Sequence, residues 1–137
     1  MGRAPFVMGM NPPAGGAVRP FLFAMNYAVL IYETEQDFAD RPSLMPAYAA
    51  YAQDLEEAGA HRGGECLHPT HTATTVRLQN GTAQVQDGPF PDTKEQLGGF
   101  FRIEAPDLDA ALAWAARCPA AARCAVEVRP VLAMEGS

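Results

Sequence analysis

The densest group of side chains that could do chemistry lies in residues 87–99, which begin Asp87-Gly88-Pro89-Phe90 and continue through Lys94 and Glu95 to a pair of glycines. Lys94 is the one lysine among the ten basic residues of the chain, and the others are arginines. An ammonium between carboxylates can bind an anionic or enolate-like group, and desolvation shifts its pKa toward proton transfer. We therefore predict a site where this loop meets the sheet, with Lys94 as its charged anchor and Asp87 and Glu95 as its carboxylates.

The same residues also have structural explanations, and the sequence leaves both open. Asp, Gly and Pro form turns, and an aspartate can hydrogen-bond its own loop. Lys94 and Glu95 can be an exposed pair of little energetic consequence instead of an acid–base pair. Phe90 can fill space between loop and core, or offer a stacking surface. The predicted ligand-binding residues of the loop are Asp87, Gly88, Pro89, Phe90 and Lys94, and the catalytic candidates are Lys94, Asp87 and Glu95.

Two further ligand-binding candidates lie outside the loop. Tyr48 falls on the core face of a predicted helix, where it can pack or can donate its hydroxyl into a cavity. Arg102 falls on a strand face that also carries aromatic residues. The three histidines, His61, His68 and His71, lack the spacing of a metal site or of an activated nucleophile. We expect neither a metal nor a cofactor.

The composition describes one ordinary globular domain. The chain has 137 residues, 48% of them hydrophobic and 19% charged, a length that buries roughly two thirds of the unfolded surface. The net charge is −6 and the arginines are scattered singly, so we expect no nucleic-acid partner. The three cysteines are Cys66, Cys118 and Cys124, and no two of them form a Cys-x-x-Cys motif. We favour free thiols in the cytoplasm over a Cys118–Cys124 disulfide.

The first 24 residues differ from the rest of the chain. They contain four prolines and the Gly15-Gly16 pair and show no usable periodicity. The apolar run Phe21–Tyr32 is interrupted by Asn26 and is shorter than the ~20 residues of a membrane span. We expect a disordered, dispensable leader or an upstream start with Met25 as the natural beginning, then one domain over residues 25–132 and a tail over 133–137. We expect no membrane association.

Hydrophobic periodicity predicts a strand followed by a helix. Asn26–Tyr32 is apolar on both alternating faces, as in a central strand that is covered on both sides. An acidic connection, Glu33–Asp40, should follow it. A helix is predicted over Leu44–Ala58, with Ser43 as its cap and Gly59 as its stop.

The middle of the chain predicts a strand over Ala60–Cys66 and then a β-hairpin. Its strands, Ala73–Gln79 and Thr82–Asp87, flank Asn80-Gly81, the strongest signal for a two-residue type I′ turn. This turn sets the register, which pairs residue 79 with 82, 78 with 83, 77 with 84 and 76 with 85. One face of the hairpin is then apolar and the other polar, so turn chemistry and side-chain pattern agree.

The last third predicts a strand, a helix and a strand. The strands are Gly99–Glu104 and Ala125–Val131, and Asp107 caps the helix, which ends at Pro119. The predicted buried stripe of this helix is Leu108, Ala111, Leu112 and Ala115.

The order of elements predicts an α+β fold of ferredoxin-like type with an inserted hairpin. Two helices cover one face of such a sheet. The other face should carry Tyr or Phe beside Arg102, Glu127 or Arg129, a mixture that water would cover poorly. We therefore expect a homodimer in which a second copy turns this face into a lined cavity.

Several segments resemble the DGPF branch of the YCII-related proteins, and the similarity runs from Met25 to about Val131. The resemblance implies a dimeric, ferredoxin-like α/β barrel in a bacterial cytoplasm, in a family that is mostly uncharacterised. The matching segments are Met25-Asn26-Tyr27 through Tyr32, Gly64-Glu65, Ala73-Thr74-Thr75-Val76-Arg77, Asp87-Gly88-Pro89-Phe90, Thr93-Lys94-Glu95-Gln96-Leu97-Gly98-Gly99 and Val126-Glu127-Val128-Arg129-Pro130.

The resemblance does not supply a catalytic site. The YCII branch has a His–Asp pair, with the histidine in a Pro-Ala-His run and the aspartate in an Asp-Pro after the second helix. Here Tyr48 follows Pro46-Ala47, and Cys118 precedes Pro119, so neither partner is present.

Three functions remain open from the sequence. The first is an enzyme, of lyase or isomerase type, that binds or transforms a small metabolite in a dimer cavity without a cofactor. The second is a non-catalytic module associated with a sigma-factor-like transcription regulator, as the resemblance implies for some relatives. The third is a purely structural dimer. The Lys94-Glu95 pair beside a glycine-rich loop favours the first two.

Overall fold

The computed structural model of the chain describes residues 24–134, and these form six β-strands and two α-helices. Short 3₁₀ turns lie at Thr70–Thr72 and Pro119–Ala122. The predictions about the leader and the end of the tail lie outside the described residues. In chain order the elements are β1 (Met25–Glu33), α1 (Glu35–Glu57), β2 (His61–Cys66), β3 (Thr74–Gln79), β4 (Thr82–Asp87), β5 (Gln96–Ala105), α2 (Leu108–Arg117) and β6 (Ala125–Pro130).

Four of the strands form one antiparallel sheet in the order β2-β5-β1-β6. Every second residue of β1, namely Tyr27, Val29 and Ile31, is buried in a core that also contains Leu55 of α1 and Trp114 of α2. Both helices therefore cover the same face of the sheet. The chain is an α+β domain whose strand order is compatible with a ferredoxin-like fold. Within residues 24–134, no helix combines the length and the apolar character that a membrane span needs.

The central position predicted for the first strand is confirmed, because β1 pairs with both β5 and β6. The prediction that both of its faces are covered is wrong for the single chain. Ala28, Leu30 and Tyr32 alternate with the buried residues and are only half-buried. The face that they occupy, together with Phe100 and Arg102 of β5, is called the open sheet face below.

Helix α1 begins at Glu35, nine residues before the predicted start at Leu44, and the predicted acidic connection over Glu33–Asp40 is wrong. Thr34 caps the helix, because its Oγ1 accepts from Asp37 N at 3.2 Å while Asp37 Oδ2 accepts from Thr34 N at 2.9 Å. This reciprocal capping box pairs two otherwise unsatisfied donors, and acidic residues in a first turn also favour the helix dipole.

Ser43, the predicted cap, instead lies inside the helix and donates its hydroxyl to Asp40 O at 2.8 Å. Pro42 and Pro46 are also inside α1. The predicted stop is confirmed, since Gly59 follows the helix with a φ of 73°.

The cap of α2 is confirmed, but its predicted buried stripe is only half right. Asp107 Oδ1 accepts from Ala110 N at 2.9 Å. Leu108 is 39% exposed, because it occupies the first position of the helix, where few side chains surround it. Trp114 is buried although it was not in the predicted stripe, and its ring meets that of Tyr51 edge-on with centroids 6.4 Å apart. Of the four predicted residues, Ala111 and Ala115 are buried and Leu112 is half-buried.

Strands β3 and β4 form a separate two-stranded sheet, and their register is the predicted one. Val76 pairs with Val85, and the remaining pairs follow in step up to the turn. Asn80 and Gly81 have φ values of 53° and 78°, as a type I′ turn requires. The hairpin therefore follows from local sequence alone.

Candidate functional site

A cavity of about 170 Å³ opens where α1 passes the ends of β1, β2 and β5, and we call it the Tyr48 cavity. Its apolar walls come from residues of three of these elements, Ile31, Met45 and Phe101. Its polar side chains are Glu33, Arg41, Tyr48 and Cys66, and Glu65, which pairs with Phe100 of the open sheet face, also borders it. Few polar groups in a mainly apolar concavity are typical of small-molecule sites.

An ion pair between Glu33 and Arg41 forms one side of this cavity. Arg41 Nη2 lies 2.7 Å from Glu33 Oε1, and Arg41 Nε donates to Oε2 at 3.3 Å, so the contact is bidentate. The side chain of Glu33 is only 5% exposed and that of Arg41 only 14%. The hydrogen bonds that Arg41 donates to Glu33 are the main reason that the pKa of Arg41 is raised above its ordinary value. Arg41 therefore stays positively charged, and its charge is balanced by that of the Glu33 carboxylate.

Arg41 also anchors the strands around it. Its Nη2 donates to Gly98 O at 2.9 Å, and its Nη1 donates to Leu67 O. The arginine thus joins α1 to the start of β5 and to the segment after β2. A guanidinium that satisfies three acceptors at once holds its own position firmly.

Gly98 is required for this arrangement because the Glu33 carboxylate occupies the space of a Cβ. A Cβ built on Gly98 would overlap Glu33 Oε1 and lie 2.7 Å from Glu33 Cδ. A Cβ built on neighbouring Gly64, which has a φ of +156°, would also overlap the Phe100 carbonyl oxygen. Small residues therefore let charged and backbone groups approach each other at the base of the cavity.

Tyr48 contributes a phenol to the lining of the cavity. Burial, followed by the nearby Cys118 and Glu33, raises its pKa well above the ordinary value. The phenol therefore stays protonated at physiological pH. The structure places Tyr48 in a cavity wall, and its contact with a ligand stays a prediction. Tyr51, one turn further along, is buried and donates its hydroxyl to Trp114 O at 2.8 Å, so it serves packing.

The loop after β4 is held by backbone contacts and by one buried amide. Gly88 N donates to Ala73 O at 2.7 Å, and Thr75 Oγ1 donates to Gly88 O at 2.8 Å. Gln96 is 7% exposed, and its Nε2 donates to Pro91 O at 2.7 Å and Thr93 O at 2.6 Å. The buried Gln96 is thus the main side-chain anchor of the loop, although neither its residue type nor its spacing marks it as such in the sequence.

The side chains that were predicted to do chemistry in this loop are exposed, and that of Glu95 also forms a hydrogen bond with Cys124. Asp87, Phe90, Lys94 and Glu95 are exposed. Phe90 is 66% exposed and lies under the Arg77 guanidinium at 4.7 Å from the ring centroid, so it does not fill space in the core. Gly88 and Pro89 are half-buried.

The structure separates the predicted site residues into three places. Pro89 and Lys94 border a broad groove that also contains Thr34 and His71. Among residues 24–134, Lys94 forms no ion pair with Asp87 or Glu95. Tyr48 belongs to the other cavity, and exposed Arg102 lies on the open sheet face opposite Ala28. A ligand-binding role for the loop stays a prediction.

Sequence reasoning missed Glu33, Arg41 and Gly98. Glu33 lay in the segment interpreted as an acidic connection, and Arg41 lay before the predicted helix. The Thr34-x-x-Asp37 capping box was the signal that could have extended the helix and placed Arg41 on it. Over the part of the chain that the structure describes, no group of three or more His, Cys, Asp or Glu residues could hold a metal ion.

Comparison with known proteins finds one family and a relative without an assigned function. The family model described as YCII-related domain matches residues 25–135. The chain is 38% identical over 96 residues to a protein of Rhizobium meliloti (strain 1021) named Uncharacterized protein R00369. The aligned region covers 66% of this chain and 77% of that protein.

Proposed function

This chain belongs to the YCII-related domain family, and we propose that it binds a small, uncharged metabolite bearing hydroxyl or carbonyl oxygens in the Tyr48 cavity, without a cofactor. One observation carries the proposal: a protonated phenol and a mutually neutralised ion pair line the same mainly apolar cavity. Such a cavity offers a ligand one strong donor and little net charge.

The charge balance of the cavity favours an uncharged ligand. Glu33 and Arg41 already satisfy each other, so an anion would gain from Arg41 but be repelled by Glu33. A cation would meet the opposite pair of effects. An uncharged ligand could instead accept a hydrogen bond from the Tyr48 hydroxyl through one of its oxygens. Met45 and Phe101 would then pack against the carbon atoms of the ligand.

The enclosed volume of the cavity, about 170 Å³, suits a ligand of a few non-hydrogen atoms. A metabolite of two to five carbons fits this space. A larger ligand would need additional walls from a second copy of the chain.

The same geometry supports binding more than turnover. A phenol whose pKa is raised gives up its proton less readily, so Tyr48 is a weak general acid at neutral pH. Cys66 is exposed in the cavity wall and gives a chemical reporter of whether the cavity is occupied.

We further propose that the protein is a homodimer through the open sheet face. Leu30, Tyr32 and Phe100 are half-buried there beside exposed Arg102 and half-buried Glu127. Tyr32 donates its hydroxyl to Glu127 Oε1 at 3.1 Å, so part of the polar surface of this face is already satisfied internally. Covering such a face removes apolar area from water, and the second copy would have to supply an acceptor for the Arg102 guanidinium. Light scattering at micromolar concentration should give twice the mass of one chain, and a single-chain mass would refute the dimer.

A thermal-shift screen tests the ligand proposal. The probes are two- to five-carbon hydroxy and keto compounds, each as the free acid and as the neutral amide or ester. We expect the neutral members to raise the melting temperature and to slow alkylation of Cys66 by iodoacetamide. Stabilisation by acids alone, or stabilisation without protection of Cys66, would contradict the proposal.

A further inference from the structure

We propose that the β3–β4 hairpin is an arm through which two copies of this chain associate, with the apolar face of one arm against the apolar face of the other. This apolar face consists of Val76, Leu78, Ala83 and Val85, and we call it the arm face. Its large side chains are 60%, 75% and 66% exposed for Val76, Leu78 and Val85. Adjacent exposed side chains of this kind mark an interaction surface.

The arm face is preformed. The type I′ turn at Asn80-Gly81 and the paired register hold Val76 opposite Val85 and Leu78 opposite Ala83. The opposite face carries polar side chains and the Arg77 guanidinium, which lies over the Phe90 ring. An isolated two-stranded hairpin is marginally stable in water, so it gains from being covered on its apolar side.

The charge distribution identifies a second copy as the occupant. Residues 74–86 contain one charged side chain, Arg77, and it points away from the arm face. The whole chain carries a net charge of −6, so most contacts between two copies would bring carboxylates together. The arm face avoids this repulsion. A two-fold axis places the same residues opposite each other, and an uncharged apolar face is complementary to itself.

The arm face is too small to form the whole interface between two copies of the chain. A standard interface buries about 800 Å² on each partner, which is more than four side chains supply. The arm contact therefore adds to another contact between copies, such as the open sheet face. The two surfaces share no residue, and separate substitutions test them separately.

Sedimentation velocity of the full chain tests whether the arm mediates association. The chain is measured from 1 to 100 µM, a range of about two decades that includes the dissociation constants of typical weak dimers. Leu78→Glu should weaken association by at least about tenfold, because two carboxylates would face each other in an apolar contact. Gln86→Glu is the matched control, since it adds the same charge on the polar face of the same hairpin. It should leave association within about twofold of the wild-type value. Both variants should melt within a few degrees of wild type, because Leu78 is 75% exposed.

Leu30→Glu on the open sheet face separates this inference from the dimer proposed above. If Leu30→Glu disrupts association and Leu78→Glu does not, the arm is overturned and the sheet-face dimer stands. If only Leu78→Glu disrupts it, the arm is supported and the sheet-face dimer falls. A wild-type chain that stays monomeric, or equal weakening by Leu78→Glu and Gln86→Glu, also overturns the arm.

Hydrogen exchange provides a second readout that does not depend on any variant. The amides of residues 76–85 should exchange more slowly as the concentration of the wild-type chain rises. Slow exchange at every concentration in a monomeric chain would show that another segment of the same chain covers the arm face. That outcome would overturn the proposal as well.

Discussion

Glu33 and Arg41 are eight residues apart, and Arg41 Nη2 lies 2.7 Å from Glu33 Oε1 in a contact that is almost completely withdrawn from water. The pair joins the last residue of β1 to the second turn of α1, directly beneath Gly98 of β5. The pair thus connects α1, the helix that carries Tyr48, to the sheet.

Removing one partner of the pair should be costly. Arg41→Leu leaves the Glu33 carboxylate buried and unpaired, a change that typically costs about 3–5 kcal/mol. Urea unfolding measures this loss. The control is Arg129→Leu, whose pair with Glu127 is mostly exposed and should cost about 1 kcal/mol or less. Equal losses in the two variants would show that the Arg41 contact has no special structural role.

A methyl group at position 98 should displace the Glu33 carboxylate. Gly98→Ala is expected to cost about 1–3 kcal/mol, the usual range for inserting atoms into filled space. In a Glu33→Ala background the same substitution should cost much less, because the overlapping carboxylate is gone. Strictly additive losses in this double-mutant cycle would refute the steric explanation.

Lys94→Met distinguishes a binding loop from a surface loop. Lys94 is exposed and borders the groove with Pro89 and His71, so the substitution should change the free energy of unfolding by less than about 0.5 kcal/mol. If the loop binds a ligand, the thermal shift produced by acidic probes should disappear. Unchanged stability together with unchanged responses to every probe would show that the loop is not a site.

Acid should destabilise the protein partly through Asp37. Burial raises the pKa of Asp37, but the hydrogen bonds from Thr34 and Arg123 outweigh burial and hold the pKa below the ordinary value of 3.8. A depressed pKa contributes stability that is present above 3.8 and is lost as the pH falls through the folded-state value. Asp37→Asn should therefore flatten the fall in stability below about pH 4.

The control for this effect is Asp92→Asn in the exposed loop. The measurement is the urea concentration at the unfolding midpoint between pH 2 and pH 6, a range of roughly two pH units on either side of the ordinary pKa of a carboxyl group. Asp92→Asn should reproduce the wild-type profile. A wild-type slope in the Asp37→Asn variant would show that the capping box does not contribute to acid sensitivity.

The parts of the fold that were predictable depend on short-range patterns. The hairpin register follows from Asn80-Gly81 and the alternation beside it, and the cap of α2 follows from Asp107. The start of α1 was not found because Pro42 and Pro46 usually mark a first turn, whereas a capping box at Thr34 starts this helix earlier.

The candidate site was only partly predictable because its contacts are long-range. Tyr48 could be placed on the inner face of a helix from periodicity alone. The contact between Arg41 and Gly98 joins residues 57 positions apart, and no local pattern indicates it. Lys94 was predicted to be a site residue because it is the one lysine of the chain. The distance between its ammonium and a carboxylate depends on the conformation of the loop, which the sequence does not determine.

The affinity of the best neutral probe for the wild-type chain and for Tyr48→Phe tests the central claim most directly. Calorimetric titration should give a dissociation constant about 5- to 30-fold higher for Tyr48→Phe, the loss of about 1–2 kcal/mol that one hydrogen bond supplies. Tyr27→Phe, which removes a hydroxyl at the far end of β1, should bind as the wild type does. Equal affinity in wild type and Tyr48→Phe would contradict binding in the Tyr48 cavity.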